Sequence, residues 1–289
     1  MKAIIWGAGG QDGFYMKALL QSQGIEVIGV SRSEPWFKAD LTNYEFISAL
    51  IQTHKPAYIF HFAANSTTRH TAWKENHDTI STGSIHLLQA VKDFAPECKV
   101  FLSGSGLQFI NTGRPINEND PFDPSSIYSV CRIHSIYAAR YYRSLGLKIY
   151  VGYFFHHDSP QRSDRHINMK IIQTAKRIAA GENIKLEIGD LSVKKEFGFA
   201  GDIVKGVWQL VQQDDVFEAV IGTGIAHSIE EWVNISFLMC GLQWKDHTIQ
   251  VDGFVPDFKI LVSDPATINS IGWKPKVAIE DLAKMMLEL

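Results

Sequence analysis

The chain is poor in cysteine and in long apolar runs. Its 289 residues include three cysteines, Cys98, Cys131 and Cys240. Their odd number and wide spacing argue against a disulfide framework and favour a reducing compartment. No stretch reaches the roughly 18 apolar residues that a membrane span needs, and the first apolar run is too short for a signal peptide. We therefore expect a cytoplasmic protein that does not enter a membrane.

Neither positive nor negative charge dominates the chain. The formal net charge is −3, charged residues make up 20% of the chain, and no basic run stands out. Nucleic acid is therefore not an expected partner, because a phosphate backbone demands concentrated Lys and Arg. The hydrophobic content of 45% is ordinary for a globular protein. The length suits one large α/β domain or a domain with a smaller second lobe.

The first half of the chain alternates β-rich runs with helical patterns. The predicted strands are KAIIW, IEVIGV, AYIFHFAA, CKVFLSGS and LKIYVGYFF. Strands that alternate with helices are typical of a parallel sheet covered on both faces. We therefore predict a doubly wound α/β fold.

Glycines mark the turn after the first strand. In WGAGGQDG, Gly7, Gly10 and Gly13 recur at every third position between a strand and a helix. Without side chains the backbone can turn tightly and approach a pyrophosphate, while the helix end supplies free N–H groups. This pattern predicts a dinucleotide-binding turn of the Rossmann type. A glycine-rich turn without a ligand is the alternative.

The end of the second strand should contact the ribose of the adenosine. NAD enzymes usually place an acid there and NADP enzymes a base, and GVSRSEP offers Arg32 with no acid until Glu34. Because the arginine fork suits a phosphate, we expect NADP(H) rather than NAD; an exposed loop arginine is the alternative. Asp40 and Leu41 could hold the adenine, although Asp40 or Thr42 could instead cap the next helix.

The second half is less regular. Helical patterns lie near 166–180, 202–213, 228–240 and 278–288, with short strand candidates IKLEI and EAVIG. We assign residues 1–155 to a dinucleotide-binding domain and residues 156–289 to a smaller substrate-binding lobe. A segment near 200–224 is expected to return to the first domain.

A tyrosine and an arginine begin the helix predicted from Ser126 to Leu145. Tyr128 and Arg132 in YSVCR lie on one helix face. Tyrosine has an ordinary pKa of about 10, so a neighbouring cation is needed to favour the phenolate near neutral pH. One large family of nicotinamide enzymes uses such a pair for proton transfer, with lysine as the usual second member. An ordinary tyrosine beside a surface arginine is the alternative.

The order of these motifs points to a family. With WGAGGQDG, SGS and YSVCR in sequence, the chain resembles the extended short-chain dehydrogenase/reductases. It is most similar to the GDP-mannose 4,6-dehydratase group of nucleotide-sugar epimerases and dehydratases, also in HFAANS, SPQR, IGTGIAHSIEEWV and IGWKPKVAIEDL. The resemblance implies a Rossmann sheet with a small C-terminal lobe for a nucleotide sugar. It also implies hydride transfer between C4 of the sugar and a nicotinamide, and a homodimer formed through two long helices.

The same resemblance implies a role for each site residue. Tyr128 is the base, Ser105 is the hydroxyl that hydrogen-bonds the sugar, and Arg132 holds the nicotinamide ribose. The cofactor residues are Gly7, Gly10, Gly13, Arg32, Asp40, Leu41, Ala63 and Ala64. The substrate residues are His156, Arg162 and Lys195. No metal is expected, since the adjacent histidines of FFHHDSPQR lack further ligands at suitable spacing.

Two departures from the group's pattern bear on the reaction itself. Arg132 replaces lysine, which keeps the charge but not the compact geometry of an ammonium. The group also carries a glutamate two positions after the hydroxyl residue, and this acid acts on the C5 proton during dehydration. Gly106 and Leu107 stand in that region, and neither exchanges a proton. Ser103 is an alternative hydroxyl, deeper in the strand.

Two further departures concern the substrate. His156 replaces the usual asparagine, and Asp158 replaces the usual glutamate. Lys195 and Val255 stand where the group places arginines that clamp the diphosphate, although Arg162 and Lys195 could still bind two phosphates. The sequence therefore does not secure guanosine diphosphate as the carrier.

These patterns together predict an NADP(H)-dependent oxidoreductase that acts at C4 of a nucleotide sugar, as a 4-keto reductase, a 4-dehydrogenase or an epimerase. A GDP-mannose 4,6-dehydratase-like lyase with a displaced acid is one alternative. A catalytically silent nucleotide-binding homologue, acting as a partner or sensor, is the other.

Overall fold

A computed structural model describes residues 1–32, 35–65 and 67–288 of the chain. Glu34, the first acid after the second predicted strand, lies outside the described residues. The strands, in chain order, are β1 (Lys2–Trp6), β2 (Glu26–Ser31), β3 (Phe37–Lys38), β4 (Tyr58–His61), β5 (Lys99–Ser105), β6 (Ile149–Phe154), β7 (His157–Asp158), β8 (Leu186–Ile188), β9 (Lys194–Lys195), β10 (Gly198–Phe199), β11 (Glu218–Ile221), β12 (His227–Ser228), β13 (Thr248–Gln250) and β14 (Ile260–Leu261).

The main sheet has seven described strands, all parallel, in the order β11-β6-β5-β4-β1-β2-β3. In β1, Ala3, Ile4, Ile5 and Trp6 are all buried, so the strand is covered on both faces. The strand order reverses between β4 and β1. In such sheets ligands bind in the crevice outside the carboxyl ends of the strands at this point.

Helices cover both faces of the main sheet. They are α1 (Gln11–Ser22), α2 (Tyr44–His54), α3 (Trp73–Asn76), α4 (Gly83–Phe94), α5 (Ile127–Ser144), α6 (Ile167–Ala179), α7 (Ala200–Val211), α8 (Ile229–Met239), α9 (Ala266–Ser270) and α10 (Ile279–Leu287). The apolar residues of α2, α4 and α5 pack on one face, and those of α1, α7 and α9 on the other. The predicted doubly wound α/β fold is therefore confirmed.

A separate apolar cluster joins α6, α8 and α10. Trp232 is fully buried there and stacks on Phe197 with 4.9 Å between ring centroids. By contrast, α7 packs against the main sheet, and β11 is an edge strand of that sheet beside β6. The domain limits drawn from the sequence stay a prediction. No helix among the described residues is both long and apolar enough to cross a bilayer.

Two details of the helices differ from the sequence expectation. Asn43 caps α2, since its side chain accepts a hydrogen bond from the N–H of Phe46 at 2.9 Å. The alternative that Asp40 or Thr42 caps this helix is therefore wrong, and Asp40 instead accepts from the N–H of Thr42 at 2.9 Å. The helical segment before β5 contains a π-helical turn, His77–Thr82, between α3 and α4. Such turns are frequent at functional sites.

Glu218, at the start of β11, attaches α5 to the edge of the sheet. Its carboxylate accepts hydrogen bonds from Arg140 Nη2 at 2.7 Å, Arg143 Nη1 at 2.9 Å and Tyr153 Oη at 2.6 Å. Burial would raise the pKa of Glu218, but these hydrogen bonds lower it to about 2 from an ordinary value of 4.5. The stabilisation is therefore fully present above the ordinary pKa and is lost as the pH falls toward 2.

Glu218→Gln should lower the free energy of unfolding by about 3 kcal/mol at pH 7, because two partly buried guanidinium groups lose their carboxylate. Urea denaturation measures this difference, which should shrink as the pH is lowered through the window between the two pKa values. Glu182→Gln is the control, since it removes the exposed partner of Arg177 and should change stability by less than about 0.5 kcal/mol. Equal effects of the two substitutions would contradict the role of Glu218.

Candidate functional site

A cavity of about 280 Å³ opens at the carboxyl ends of β1, β4, β5 and β6. Three parts of the chain meet in it: the glycine turn, the first turn of α5 with the end of β5, and the segment after β6. The predicted site residues that line it are Gly7, Gly10, Gly13, Ala64, Ser105, Tyr128, Arg132, His156 and Arg162. Residues predicted from separate motifs therefore share one cavity.

The glycine turn has no room for side chains. Gly7 has a φ of +90°, and a Cβ there would lie 2.8 Å from the backbone nitrogen of Ala63. A Cβ at Gly13 would lie 2.7 Å from the Cα of Ala8. No described side chain caps the amino end of α1, so its first N–H groups and positive dipole end remain for an anion. This backbone fits the pyrophosphate of a dinucleotide.

Tyr128 and Arg132 form a buried pair at the wall of the cavity. Arg132 Nε donates a hydrogen bond to Tyr128 Oη at 3.2 Å. Arg132 Nη1 donates to the carbonyl oxygen of Ser103 and, at 3.0 Å, to Ser103 Oγ. The alternative hydroxyl considered from the sequence is thus a partner of the guanidinium, and it donates its own proton to the carbonyl oxygen of His61 at 3.0 Å.

Ser105 lines the cavity from the end of β5. Its Oγ accepts a hydrogen bond from the N–H of Leu107 at 3.2 Å and caps a 3₁₀ turn, Gly106–Gln108. The side chain of Gln108 closes this turn by accepting from the N–H of Ser105 at 2.9 Å. The hydroxyl proton of Ser105 donates to none of the described residues, so it remains for a ligand in the cavity.

Phe155 fills the space beside Gly106. A Cβ at Gly106 would lie 2.8 to 3.0 Å from three atoms of the Phe155 ring, so a side chain at this position would have to displace the ring. Among the described residues that line the cavity, Asp12 is the one carboxylic acid. Its Oδ1 is 2.9 Å from His157 Nε2. Leu107, two positions after Ser105, also lines the cavity, so the position of the missing glutamate carries an apolar side chain.

The segment after β6 carries a network of buried charges. Arg162 donates through Nε to Asp158 Oδ1 at 2.6 Å and through Nη2 to the carbonyl oxygen of His157 at 2.7 Å. Burial would raise the pKa of Asp158, but Arg162 outweighs this effect and lowers it. Burial would lower the pKa of His157, but Asp12 raises it. Within the described ranges, no three His, Cys, Asp or Glu side chains are grouped so as to hold a metal ion.

Half-buried His156 and buried Lys195 have unused hydrogen-bonding capacity. His156 Nδ1 has no partner among the described residues, and burial lowers the pKa of the ring, with Lys195 adding to the effect. Lys195 does not line the cavity. Its Nζ lies 5.3 Å from the centre of the Phe197 ring and makes no hydrogen bond or ion pair with the described chain. Burial lowers the pKa of Lys195 to about 8.

The remaining predicted cofactor residues are not part of the cavity lining. Ala63 follows β4, next to the glycine turn. Leu41 is buried and Asp40 is exposed. Arg32 follows β2, and its guanidinium contacts the carboxylate of Glu75 on α3.

Three residues that shape the site carry no sequence motif: Phe155, Gln108 and Glu75. Phe155 and Gln108 lie in otherwise ordinary strand and turn segments, and Glu75 lies in a polar helix. One signal was available, because an isolated glycine after a strand, such as Gly106, often marks the close approach of another group.

Comparison with known proteins identifies the family. The family model described as GDP-mannose 4,6 dehydratase matches residues 4–286. GDP-mannose 4,6 dehydratase 1 of Arabidopsis thaliana is 32% identical over 321 residues, covering 99% of this chain and 88% of that protein. The GDP-mannose 4,6 dehydratase of Homo sapiens is 27% identical over 339 residues, covering 99% and 90%.

Solved structures share the fold over the whole length. MoeE5, in complex with UDP-glucuronic acid and NAD, has a TM-score of 0.87 at 22% identity and covers 100% of this chain and 98% of that chain. The UDP-glucose 4-epimerase of Thermus thermophilus, complexed with NAD, has a TM-score of 0.85 at 19% identity, with the same coverage. RMD from Pseudomonas aeruginosa, complexed with NADPH, has a TM-score of 0.87 at 18% identity and covers 99% and 97%.

The fold is shared with nucleotide-sugar enzymes of known structure, and the family model and the Arabidopsis relative place the chain among the nucleotide-sugar dehydratases. Within this class, the chain belongs to the GDP-mannose 4,6-dehydratase family. The resemblance and the enzyme class predicted from the sequence are therefore confirmed.

Proposed function

We propose that the protein is an NADP(H)-dependent oxidoreductase that acts at C4 of a nucleotide sugar, as a 4-keto reductase, a 4-dehydrogenase or an epimerase. One observation carries this proposal. The Tyr128–Arg132 pair is joined by a hydrogen bond and faces the cavity, whereas Leu107, which also lines the cavity, stands two positions after Ser105, where the dehydratase group carries its glutamate.

The chain's own residues suit a nicotinamide dinucleotide. The glycine turn with Ala63 and Ala64 would hold the pyrophosphate, Asp40 and Leu41 would adjoin the adenine, and Arg32 would bind the 2′-phosphate that distinguishes NADP. When bound, the nicotinamide supplies hydride exchange with C4 of the sugar.

Tyr128 exchanges the proton of the C4 oxygen. In the reductive direction its Oη protonates the alkoxide at C4, and in the oxidative direction its phenolate takes the proton of the C4 hydroxyl. Arg132 Nε holds Oη at 3.2 Å and places a positive charge beside the oxygen that becomes negative. Arg132 Nη2, which donates to no described residue, remains for the nicotinamide ribose. Ser105 donates to the C4 oxygen and stabilises its negative charge.

Without the glutamate of the dehydratase group, the reaction would be confined to C4 of the sugar. Dehydration needs a further acid or base near C5 and C6. Gly106 and Leu107 cannot supply one, and Phe155 occupies the neighbouring space. The product would therefore keep its C6 hydroxyl.

Purified protein should oxidise NADPH when it is given a 4-keto nucleotide sugar, followed by the absorbance of the reduced nicotinamide. Tyr128→Phe should lower kcat by about 10² to 10⁴-fold, because the proton donor is lost, and should leave NADPH binding unchanged. Tyr137→Phe, on the exposed face of α5, is the matched control and should retain activity. NADPH binding without turnover of any 4-keto sugar, or full activity of Tyr128→Phe, would contradict the proposal and favour the catalytically silent homologue.

A 4,6-dehydratase is the second candidate. Membership of the GDP-mannose 4,6-dehydratase family favours it, and Asp12 brings one carboxylate to the cavity. Asp12 would then act in place of the missing glutamate. Formation of a 4-keto-6-deoxy product from GDP-mannose, without net cofactor turnover, would establish this reaction.

Lys195 is proposed to bind a phosphate of the nucleotide diphosphate, together with Arg162. A lysine that is buried and makes no hydrogen bond within the described chain is costly to hold in its charged form. A bound phosphate would supply the missing partner. Because burial lowers the pKa of Lys195 to about 8, the charged side chain destabilises the folded protein below that pH. Stability should therefore rise with pH between about 8 and the ordinary value of 10.5.

Lys195→Met should raise the free energy of unfolding at pH 7 by about 2 kcal/mol, since it keeps the volume and removes the buried charge. The same change should weaken binding of GDP-mannose or UDP-glucose at least tenfold. Urea denaturation and calorimetric titration measure the two effects. Lys194→Met, on the exposed side of the same strand, is the control. Loss of stability without loss of nucleotide-sugar binding would show that Lys195 is a structural residue.

We also infer a homodimer formed through α5. Val130, Tyr137 and Tyr141 are exposed at helical spacing on one face of this helix. Light scattering should give twice the mass of one chain, and Tyr137→Arg should reduce it to that of a monomer. Ile225→Arg is the control, because Ile225 is 59% exposed, as Tyr137 is, but lies outside α5. A monomeric mass for the unmodified protein would exclude this interface.

A further inference from the structure

An acid from a distant part of the chain lies against Arg32. The Nη1 atom of Arg32 contacts Oε1 of Glu75, although the two residues are 43 positions apart. Oε2 of Glu75 accepts a hydrogen bond from Asn65 Nδ2 at 2.8 Å. The carboxylate is therefore held from two sides, by the residue after β2 and by a residue after β4.

Both anchors place this carboxylate at the dinucleotide side of the sheet. The N–H groups of Gly7 and Ala8 donate to the carbonyl oxygen of Val30 at 2.9 and 3.1 Å, so the glycine turn is hydrogen-bonded to the end of β2. Asn65 follows the segment whose backbone abuts Gly7. In this fold the end of β2 contacts the adenosine ribose. Glu75 therefore supplies, from α3, the kind of acid that the described part of the β2 end lacks.

The contact contributes little to folding. The side chains of Arg32 and Glu75 are 80% and 36% exposed, and ion pairs of this kind add little stability. The hydrogen bond from Asn65 and the charge of Arg32 lower the pKa of Glu75, so the carboxylate is ionised at neutral pH. The consequence of the contact is thus electrostatic. The Glu75 carboxylate neutralises the charge of Arg32 at the place where a 2′-phosphate would bind.

We infer that Glu75 sets the cofactor preference by weakening the selectivity of Arg32 for a 2′-phosphate. A 2′-phosphate must replace the carboxylate on the guanidinium and then lie beside a like charge, which is unfavourable. A 2′-hydroxyl can instead donate to the carboxylate. Glu75 therefore reduces the preference for NADPH over NADH that Arg32 alone would give. This inference depends on the proposed use of a nicotinamide cofactor.

The test compares dissociation constants of NADPH and NADH for the unmodified chain, Glu75→Gln and Asp78→Asn, measured by calorimetric titration without sugar substrate. Asp78 lies three residues further on and pairs with Lys74 rather than Arg32. Asp78→Asn therefore makes the same change in net charge but leaves the contact of Arg32 with Glu75 in place. Glu75→Gln should shift the affinity ratio toward NADPH by about tenfold, because the repulsion is removed and Arg32 is released. Asp78→Asn should leave the ratio unchanged.

The outcomes separate this inference from the proposed function. A shift of less than threefold in Glu75→Gln, or an equal shift in Asp78→Asn, would overturn the role of Glu75 and leave the proposed oxidoreductase standing. Failure of the unmodified chain to bind either cofactor would overturn both.

Discussion

The hydrogen bonds of the Arg132 guanidinium join the parts of the site. A buried guanidinium must find acceptors, because an unpaired charge in a protein interior is strongly unfavourable. Arg132 finds them on the phenol oxygen of Tyr128 and on Ser103 in β5. A lysine ammonium carries its charge on one nitrogen, whereas the planar guanidinium donates to both Tyr128 and Ser103 in fixed directions. The exchange of lysine for arginine thus keeps the positive charge and makes the position of Tyr128 depend on the end of the sheet.

The Phe155 ring, which follows the neighbouring strand, packs beside the segment that follows Ser105. In the register of β5 with β6, Ser105 lies opposite Phe154. The next residues along each strand, Gly106 and Phe155, are therefore brought together, and the ring packs where a side chain at position 106 would project. Leu107 and Phe155 therefore both bring apolar side chains to the cavity at this end of the sheet.

The features that could be predicted are those whose pattern is local. The strands, the glycine turn and the Tyr128–Arg132 pair each depend on spacing within a few residues. The contacts that decide the chemistry join distant positions, such as Arg132 with Ser103 across 29 residues and Arg32 with Glu75 across 43. These contacts follow from strand order and register, which local spacing does not contain. The capping residue of α2 was missed for a different reason, because adjacent polar residues compete for the capping position.

Two buried charges illustrate how pairing separates a structural group from a binding group. Glu218 accepts hydrogen bonds from Arg140, Arg143 and a tyrosine, so its carboxylate is satisfied without a ligand. Lys195 is also buried, yet its ammonium has no hydrogen-bond partner in the described chain. The pKa values of Glu218 and Lys195 are both lowered, but the two shifts have opposite meanings. Pairing lowers the pKa of Glu218 and favours its charged form, whereas burial lowers the pKa of Lys195 and disfavours its charged form. The charge of Asp158 offsets part of this cost, and a bound anion would offset more of it, which is the physical reason for proposing a diphosphate site there.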